Sequence, residues 1–193
     1  CVNDGMLIML SDPADGQSVK STLKLFHGLA FGITPVRPSW VHECIKERRW
    51  LPQEAKHRVP TASAAGSSSS SSRRRGAAAV AEQPDPGTLL ADYVIVPCFD
   101  ERWGPSWKAV LRAAGADLRT DLPTERSNEG GDKTCVVVVV QKPEKDKSHP
   151  AGVAGLLERA KAKQVPTASQ DWVKHCLLEQ KVLELSRFPA VVK

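Results

Sequence analysis

Trp40-Val41-His42-Glu43-Cys44-Ile45 and Trp172-Val173-Lys174-His175-Cys176-Leu177 are two copies of one pattern, each followed by a leucine, Leu51 or Leu183, eleven residues after its tryptophan. Upstream the match continues: Ile33 and Val165 each stand seven residues before the indole. Further back lie two apolar runs, Met6-Leu7-Ile8-Met9-Leu10 and Val136 to Val140. An internal repeat is a statement about architecture, because each copy must bury the same face in the same way. Two copies of one small α/β unit are expected, the first cut short at its N-terminal side.

Local patterns fill in both copies. Met6–Leu10, bounded by Asp12-Pro13 and Gly16, suits a strand buried on both faces. A helix is expected from Ser18, with Val19, Leu23, Phe26 and Ala30 in one apolar stripe and Lys20, Lys24 and His27 in a basic one. Lys24 falls in its middle turn. Gly32 ends it, and Ile33 to Val36 can form a second short parallel strand. Pro38 fits the first position of a helix that buries Trp40, Val41, Cys44 and Ile45.

In the second copy Tyr93 to Val96 reads as a strand, Ser106 to Ala114 as a helix, and Asp117 to Thr120 as a short strand. Thr134 to Val140 reads as the central buried strand, Gly152 to Lys163 as a helix, and Gln164 to Thr167 as the last strand. Ser169 is a good N-cap for the final helix. Alternating strands and helices in the order β-α-β-β-α-β-α point to a parallel sheet with helices on both faces.

Between the copies the composition changes. Residues 53–90 hold six consecutive serines (Ser67 to Ser72), Arg73 to Arg75, an alanine run and Pro84-Asp85-Pro86-Gly87. Such a segment cannot bury enough apolar area to offset the entropy of ordering, so it reads as a flexible linker. The domains are therefore expected at 1–52 and 91–193, with the linker at 53–90.

Of the 193 residues 41% are apolar, enough for a packed core, and the net charge of +5 leaves no half strongly basic. A dedicated nucleic-acid surface is not indicated. A mildly basic chain still favours anionic partners, phosphorylated ones included. Five cysteines with no CxxC pair read as reduced, intracellular thiols, not as a disulfide framework or a zinc site. No apolar run approaches the roughly 18 residues of a membrane span. Opening on Cys1, the chain reads as a fragment. His42 with Cys44, and His175 beside Cys176, do not make a thiol enzyme, because helical neighbours one or two apart point to different faces.

Trp40 and Trp172 in the last helices, Ala114-Gly115-Ala116 at a small-residue turn, and Thr134-Cys135-Val136-Val137 entering the central strand resemble the BRCT repeat. The resemblance covers residues 6–52 and 91–188. It implies an α/β fold of two tandem BRCT-like units, each a small parallel four-stranded sheet flanked by helices, with the first truncated. Two units resemble the phosphopeptide-binding tandem-BRCT proteins of the DNA-damage response. Leu29-Ala30-x-Gly32-Ile33, Trp40-Val41-His42-x-Cys44 and Val165-Pro166-x-x-Ser169-Gln170-Asp171-Trp172-Val173 are similar to the checkpoint-mediator branch that binds a tumour suppressor. Ser21-Thr22-Leu23-Lys24 and Ile45-Lys46-Glu47-Arg48 resemble the breast-cancer branch.

The resemblance also implies a site. A phosphoserine is held in the first unit by a hydroxyl, a backbone N–H and a lysine. Lys24 matches that lysine, with Lys20 as its local rival; the hydroxyl and N–H are expected to precede residue 1. A second pocket, between the units, would involve Ser21, Phe26, Arg102 and Lys174, with Ser21 standing where the family has an arginine. The implied protein is a nuclear, non-enzymatic adaptor without metal or cofactor. Its implied partners are phosphoserine-containing nuclear proteins, including chromatin or a tumour-suppressor protein, and not a membrane or nucleic acid. The alternatives are a phosphate-independent interaction module and a DNA-end-binding module that would use Arg73 to Arg75.

Overall fold

A computed structural model describes residues 22–33, 35–53, 55–59, 87–123, 135–141 and 152–190. In chain order these form α1 (Leu23–Ala30), α2 (Pro38–Glu47), β1 (Tyr93–Cys98), α3 (Gly104–Ala113), β2 (Asp117–Leu118), β3 (Cys135–Val140), α4 (Val153–Ala162), β4 (Thr167–Ser169) and α5 (Gln170–Glu179). Short 3-10 turns occupy Ala55–His57 and Leu185–Arg187. The expected strand Met6–Leu10, the serine run and Arg73 to Arg75 lie outside the described residues, as do Lys20 and Ser21.

From β1 to α5 the observed order is β-α-β-β-α-β-α. The four strands are parallel and lie in the order β2-β1-β3-β4. The valine run explains the centre. Successive strand side chains point to opposite faces. Val137 and Val139 therefore join Ile95 in one core with α1, α3 and α5, while Val138 and Val140 join Val96 and Cys98 in another beneath α4. A strand buried on both faces needs an unbroken apolar run rather than an alternating one. The turn after α3 rests on Gly115, whose φ is +93°. A Cβ there would stand 2.3 Å from the Gly87 carbonyl oxygen, so only glycine fits.

Three local expectations are corrected. The last strand runs over 167–169, not 164–167. Gln164 is left-handed (φ 54°) and closes α4, so the chain enters the sheet only where Thr167 pairs with Val138. Ser169 holds the N-cap position of α5 but makes no side-chain cap; its backbone N–H donates to the Phe188 carbonyl at 2.8 Å. Val36 forms an antiparallel bridge with Arg58, in place of a parallel strand over 33–36. The reason is that the start of the expected linker folds back: Val59 N–H donates to Pro35 O, Arg37 N–H to His57 O, and Val59 and His57 are both buried. The second unit repeats this return, with Ala168 bridging Pro189. At the far end of the expected linker, Leu90 is fully buried and its N–H donates to Ala114 O.

The sequence repeat is a repeated bonding pattern. Trp40 Nε1–H donates to Leu51 O at 3.2 Å, and Trp172 Nε1–H donates to Leu183 O at 2.8 Å. The N–H of the same leucine donates to the cysteine sulfur, Leu51 to Cys44 at 3.4 Å and Leu183 to Cys176 at 3.3 Å. Both helices leave through a left-handed residue, Arg48 (φ 49°) and Gln180 (φ 50°). That exit turns the chain back across the indole.

The units meet through α1. Its Leu25, Phe26, Leu29 and Ala30 lie in the core cluster that contains Trp107 of α3 and Trp172 of α5. Phe26 packs on Trp107 with ring centroids 5.4 Å apart. The Gln180 side-chain amide donates to Leu29 O at 3.2 Å, at the C-terminal end of α1.

Trp172→Ala is expected to cost about 3–5 kcal/mol, since it removes a buried indole and strands the Leu183 carbonyl. Trp50→Ala, at an exposed site, is expected to cost no more than about 1.5 kcal/mol, the worth of its ring contact with Trp40. Urea unfolding midpoints of the two variants check the contrast. Burial pushes the Cys98 and Cys176 thiols from the ordinary 9.0 up to about 11. A thiol pKa raised by folding adds stability that is whole below about pH 9 and fades as pH climbs towards 11. Denaturant midpoints measured between those pH values should fall, and should fall less steeply in Cys98→Ala and Cys176→Ala.

Candidate functional site

Lys24 is exposed and is the second residue of α1. It was expected in a middle turn, but the helix begins later than Ser18. Thr22 is the N-cap, its hydroxyl accepting from Leu25 N–H at 3.3 Å, and Phe26 N–H donates to Thr22 O at 3.2 Å. The backbone N–H groups of Leu23 and Lys24 have no partner among the described residues. Unpaired N–H groups and the helix dipole make such an end attractive to anions, and the Lys24 ammonium adds a full charge. The opposite face of α1 is locked by Leu25, Phe26 and Leu29, so this end is held in place. Lys20 and Ser21 precede the cap, outside the described residues.

The residues expected between the units behave differently. Phe26 is only 2% exposed, and its ring is spent on Trp107, so it belongs to the core and not to an open pocket wall. Arg102 is exposed, with its guanidinium 5.1 Å from the centre of the Trp103 ring. Lys174 Nζ lies 2.7 Å from Asp171 Oδ1 on its own helix. Each cation is therefore already engaged locally, and neither is free to act as an anchor without giving up that contact.

Trp40 and Trp172 are 3% and 0% exposed, with their one polar atom bonded to backbone. They support the fold and present nothing to a ligand. Cys44 and Cys176 accept backbone N–H bonds, and the Cys176 thiol is pushed up by burial. A thiol held protonated is a poor nucleophile. Among the described residues no group of His, Cys, Asp and Glu could hold a metal ion, and no helix is long and apolar enough to cross a membrane.

Two features escaped the sequence reading. Ile45, expected inside, is 69% exposed, and Trp50 is 78% exposed. With Val41, Cys44, Arg48 and Arg49 they line a groove of about 280 Å³ on α2. Comparing the copies position by position would have raised the question, because Trp50 stands opposite a valine, Val182. Asp100 and Gln141 form the other feature. Gln141 Nε2–H donates to Asp100 Oδ2 at 2.8 Å, and Asp100 N–H donates to Gln141 Oε1 at 3.0 Å. Asp100 Oδ1 also accepts from Trp103 N–H, so one carboxylate joins the end of β3 to the start of α3. No spacing in the sequence announces a pair that far apart.

The model of the BRCA1 C-terminus (BRCT) domain family matches residues 88–190. No curated protein matches the chain. Among solved structures the chain is similar to the BRCT3,4 segment of S. pombe Rad4, at 12% identity and TM-score 0.44, over 96% of this chain and 78% of that one. It is also similar to the BRCT5-BRCT6 domains of S. pombe Brc1, at 16% identity and TM-score 0.49, over 88% of this chain and 77% of that one. The parallel sheet in the order β2-β1-β3-β4, the tryptophan of its closing helix and the family match over more than half the chain lead to one conclusion: this protein belongs to the BRCT family of protein-interaction domains.

Proposed function

We propose that the chain is a phosphopeptide-binding adaptor of the DNA-damage response, acting in the nucleus and recognising phosphoserine on partner proteins at the N-terminal end of α1. The observation that carries this reading is Lys24. It stands in the first turn of a helix whose first two N–H groups have no partner among the described residues and whose other face is buried. A phosphate carries about −1.5 to −2 charges at pH 7 and three acceptor oxygens, so it suits two N–H donors and an ammonium better than a carboxylate does. Chromatin proteins and a tumour-suppressor protein are the partner classes in keeping with the family resemblance. The units are assigned as residues up to 59 for the first and 87–190 for the second, with the linker between them.

The test is calorimetry of the full-length protein with one serine peptide in phosphorylated and unphosphorylated form. The phosphorylated peptide is expected to bind at least about tenfold more tightly, the equivalent of one good charge-assisted hydrogen bond. Lys24→Glu should erase the difference while leaving the urea midpoint unchanged, because the side chain is exposed. Equal affinities for the two peptides, or a difference that survives Lys24→Glu, overturn the reading.

A further inference from the structure

The two closing helices can be compared face against face. On α5, Val173 and Leu177 are fully buried, and they share a core cluster with Leu25, Phe26 and Leu29 of α1. Val182, just past that helix, packs against the same cluster. The left-handed Gln180 reaches across and bonds the end of α1. On α2 the counterparts of these four residues are Val41, Ile45, Trp50 and Arg48. Here Ile45 is 69% exposed and Trp50 78% exposed, and the groove stands open. One face of the repeated helix is covered by a helix, while its twin leaves Ile45 and Trp50 uncovered and Val41 half-buried.

The open face is built and not slack. Trp50 packs against the buried Trp40 with ring centroids 5.7 Å apart and the ring planes tilted by 35°, which holds a large apolar surface outward at the groove. Its rim is cationic: Arg48 and Arg49 line it, and neither has an acidic partner among the described residues. Glu43, the acidic residue of the preceding turn, is taken up by Lys56 and His57, each at 3.2 Å. An apolar floor with an arginine rim fits an amphipathic helix whose flank bears carboxylates.

We propose that the Val41, Ile45 and Trp50 face of α2 receives an acidic-flanked amphipathic helix from a polypeptide outside this chain, laid across it as α1 is laid across α5. A second copy of the chain fits less well, because a two-fold contact presses the same patch against itself and brings Arg48 and Arg49 of both copies together. The amphipathic α1 is not available, since its apolar stripe is already spent against α3 and α5. The proposal does not depend on phosphate binding at Lys24, which lies on another helix.

The probe is a helix-stabilised synthetic peptide with leucine, phenylalanine, leucine and alanine at the spacing of Leu25, Phe26, Leu29 and Ala30, and glutamate at the places of Lys24 and His27. A matched peptide carries lysine at those two places. Binding is read by the change in tryptophan emission and by calorimetry on the full chain. The acidic peptide is expected to bind at least about tenfold more tightly than its lysine twin. Ile45→Glu should weaken it by about tenfold or more, as loss of a central anchor does. The double variant Arg48→Glu, Arg49→Glu should reverse the preference between the two peptides. Urea unfolding of each variant establishes that it is folded, and both sites are exposed, so both are expected to pass. Absence of binding, equal affinity for the two peptides, or insensitivity to Ile45→Glu overturns the proposal. So does concentration-dependent dimerisation that Ile45→Glu abolishes, which would give the face to a second copy.

Discussion

The apolar stripe of α1 is the contact on which the rest of this molecule depends. By position the helix belongs to the first unit, but Leu25, Phe26, Leu29 and Ala30 sit in the core of the second. Burying each of the three larger side chains contributes about 1.5–3 kcal/mol. The described part of the first unit has little else to draw on: a cluster of Val36, Trp40 and Cys44 with Val41 and Leu51 against it, and the buried His57 and Val59. A core that small does not hold a unit by itself. The described part of the first unit is held in large part because one of its helices is also a structural member of its neighbour. The same docking decides the exposure of Lys24. A helix clamped on one face must present the other to water, and the residue after Leu23 on the open side is a lysine.

A second constraint explains the repeat itself. After its last helix each unit must turn the chain back towards the sheet, and the turn leaves a leucine whose backbone N–H and C=O would otherwise be buried unpaired. An indole N–H answers the carbonyl and a thiol answers the amide. An unpaired buried polar group costs about 1–3 kcal/mol, so the two answers must come together. Tryptophan, cysteine four residues on and leucine eleven residues on are thus three ends of one hydrogen-bonded loop. The cysteines are small acceptors in an apolar setting, and the burial that makes them good structural parts also holds Cys176 protonated.

Much of this was legible along the chain. The valine run of β3 announces a strand with both faces covered, and the order of elements in the second unit follows from alternating short runs and amphipathic stretches. Boundaries were less legible where backbone geometry, not side-chain pattern, sets them. Gln164 is neither glycine nor asparagine, yet it adopts the left-handed turn that closes α4 and delays the strand to Thr167. Residues 55–59 look like the start of a linker by composition, but the bridge from Arg58 to Val36 ties them to the first unit. The start of α1 lies about one turn after the one that Ser18 predicts, because Thr22 is extended and its hydroxyl caps the helix at Leu25 N–H.

Sequence alone determined the element order from β1 to α5 and the repeated tryptophan, cysteine and leucine pattern, because these depend on periodicity, on turn residues, and on side chains that must be buried somewhere. Only the tertiary structure decided which buried face meets which. Val41 and Val173, or Ile45 and Leu177, are equivalent as letters, yet one set is sealed by a helix and the other is open. Phe26 and Lys24 fall on the apolar and the basic stripe of one short helix, but nothing local says that the ring meets Trp107, some eighty residues further on. Burial is a relation between distant segments, so a residue's own neighbours along the chain carry only half of it.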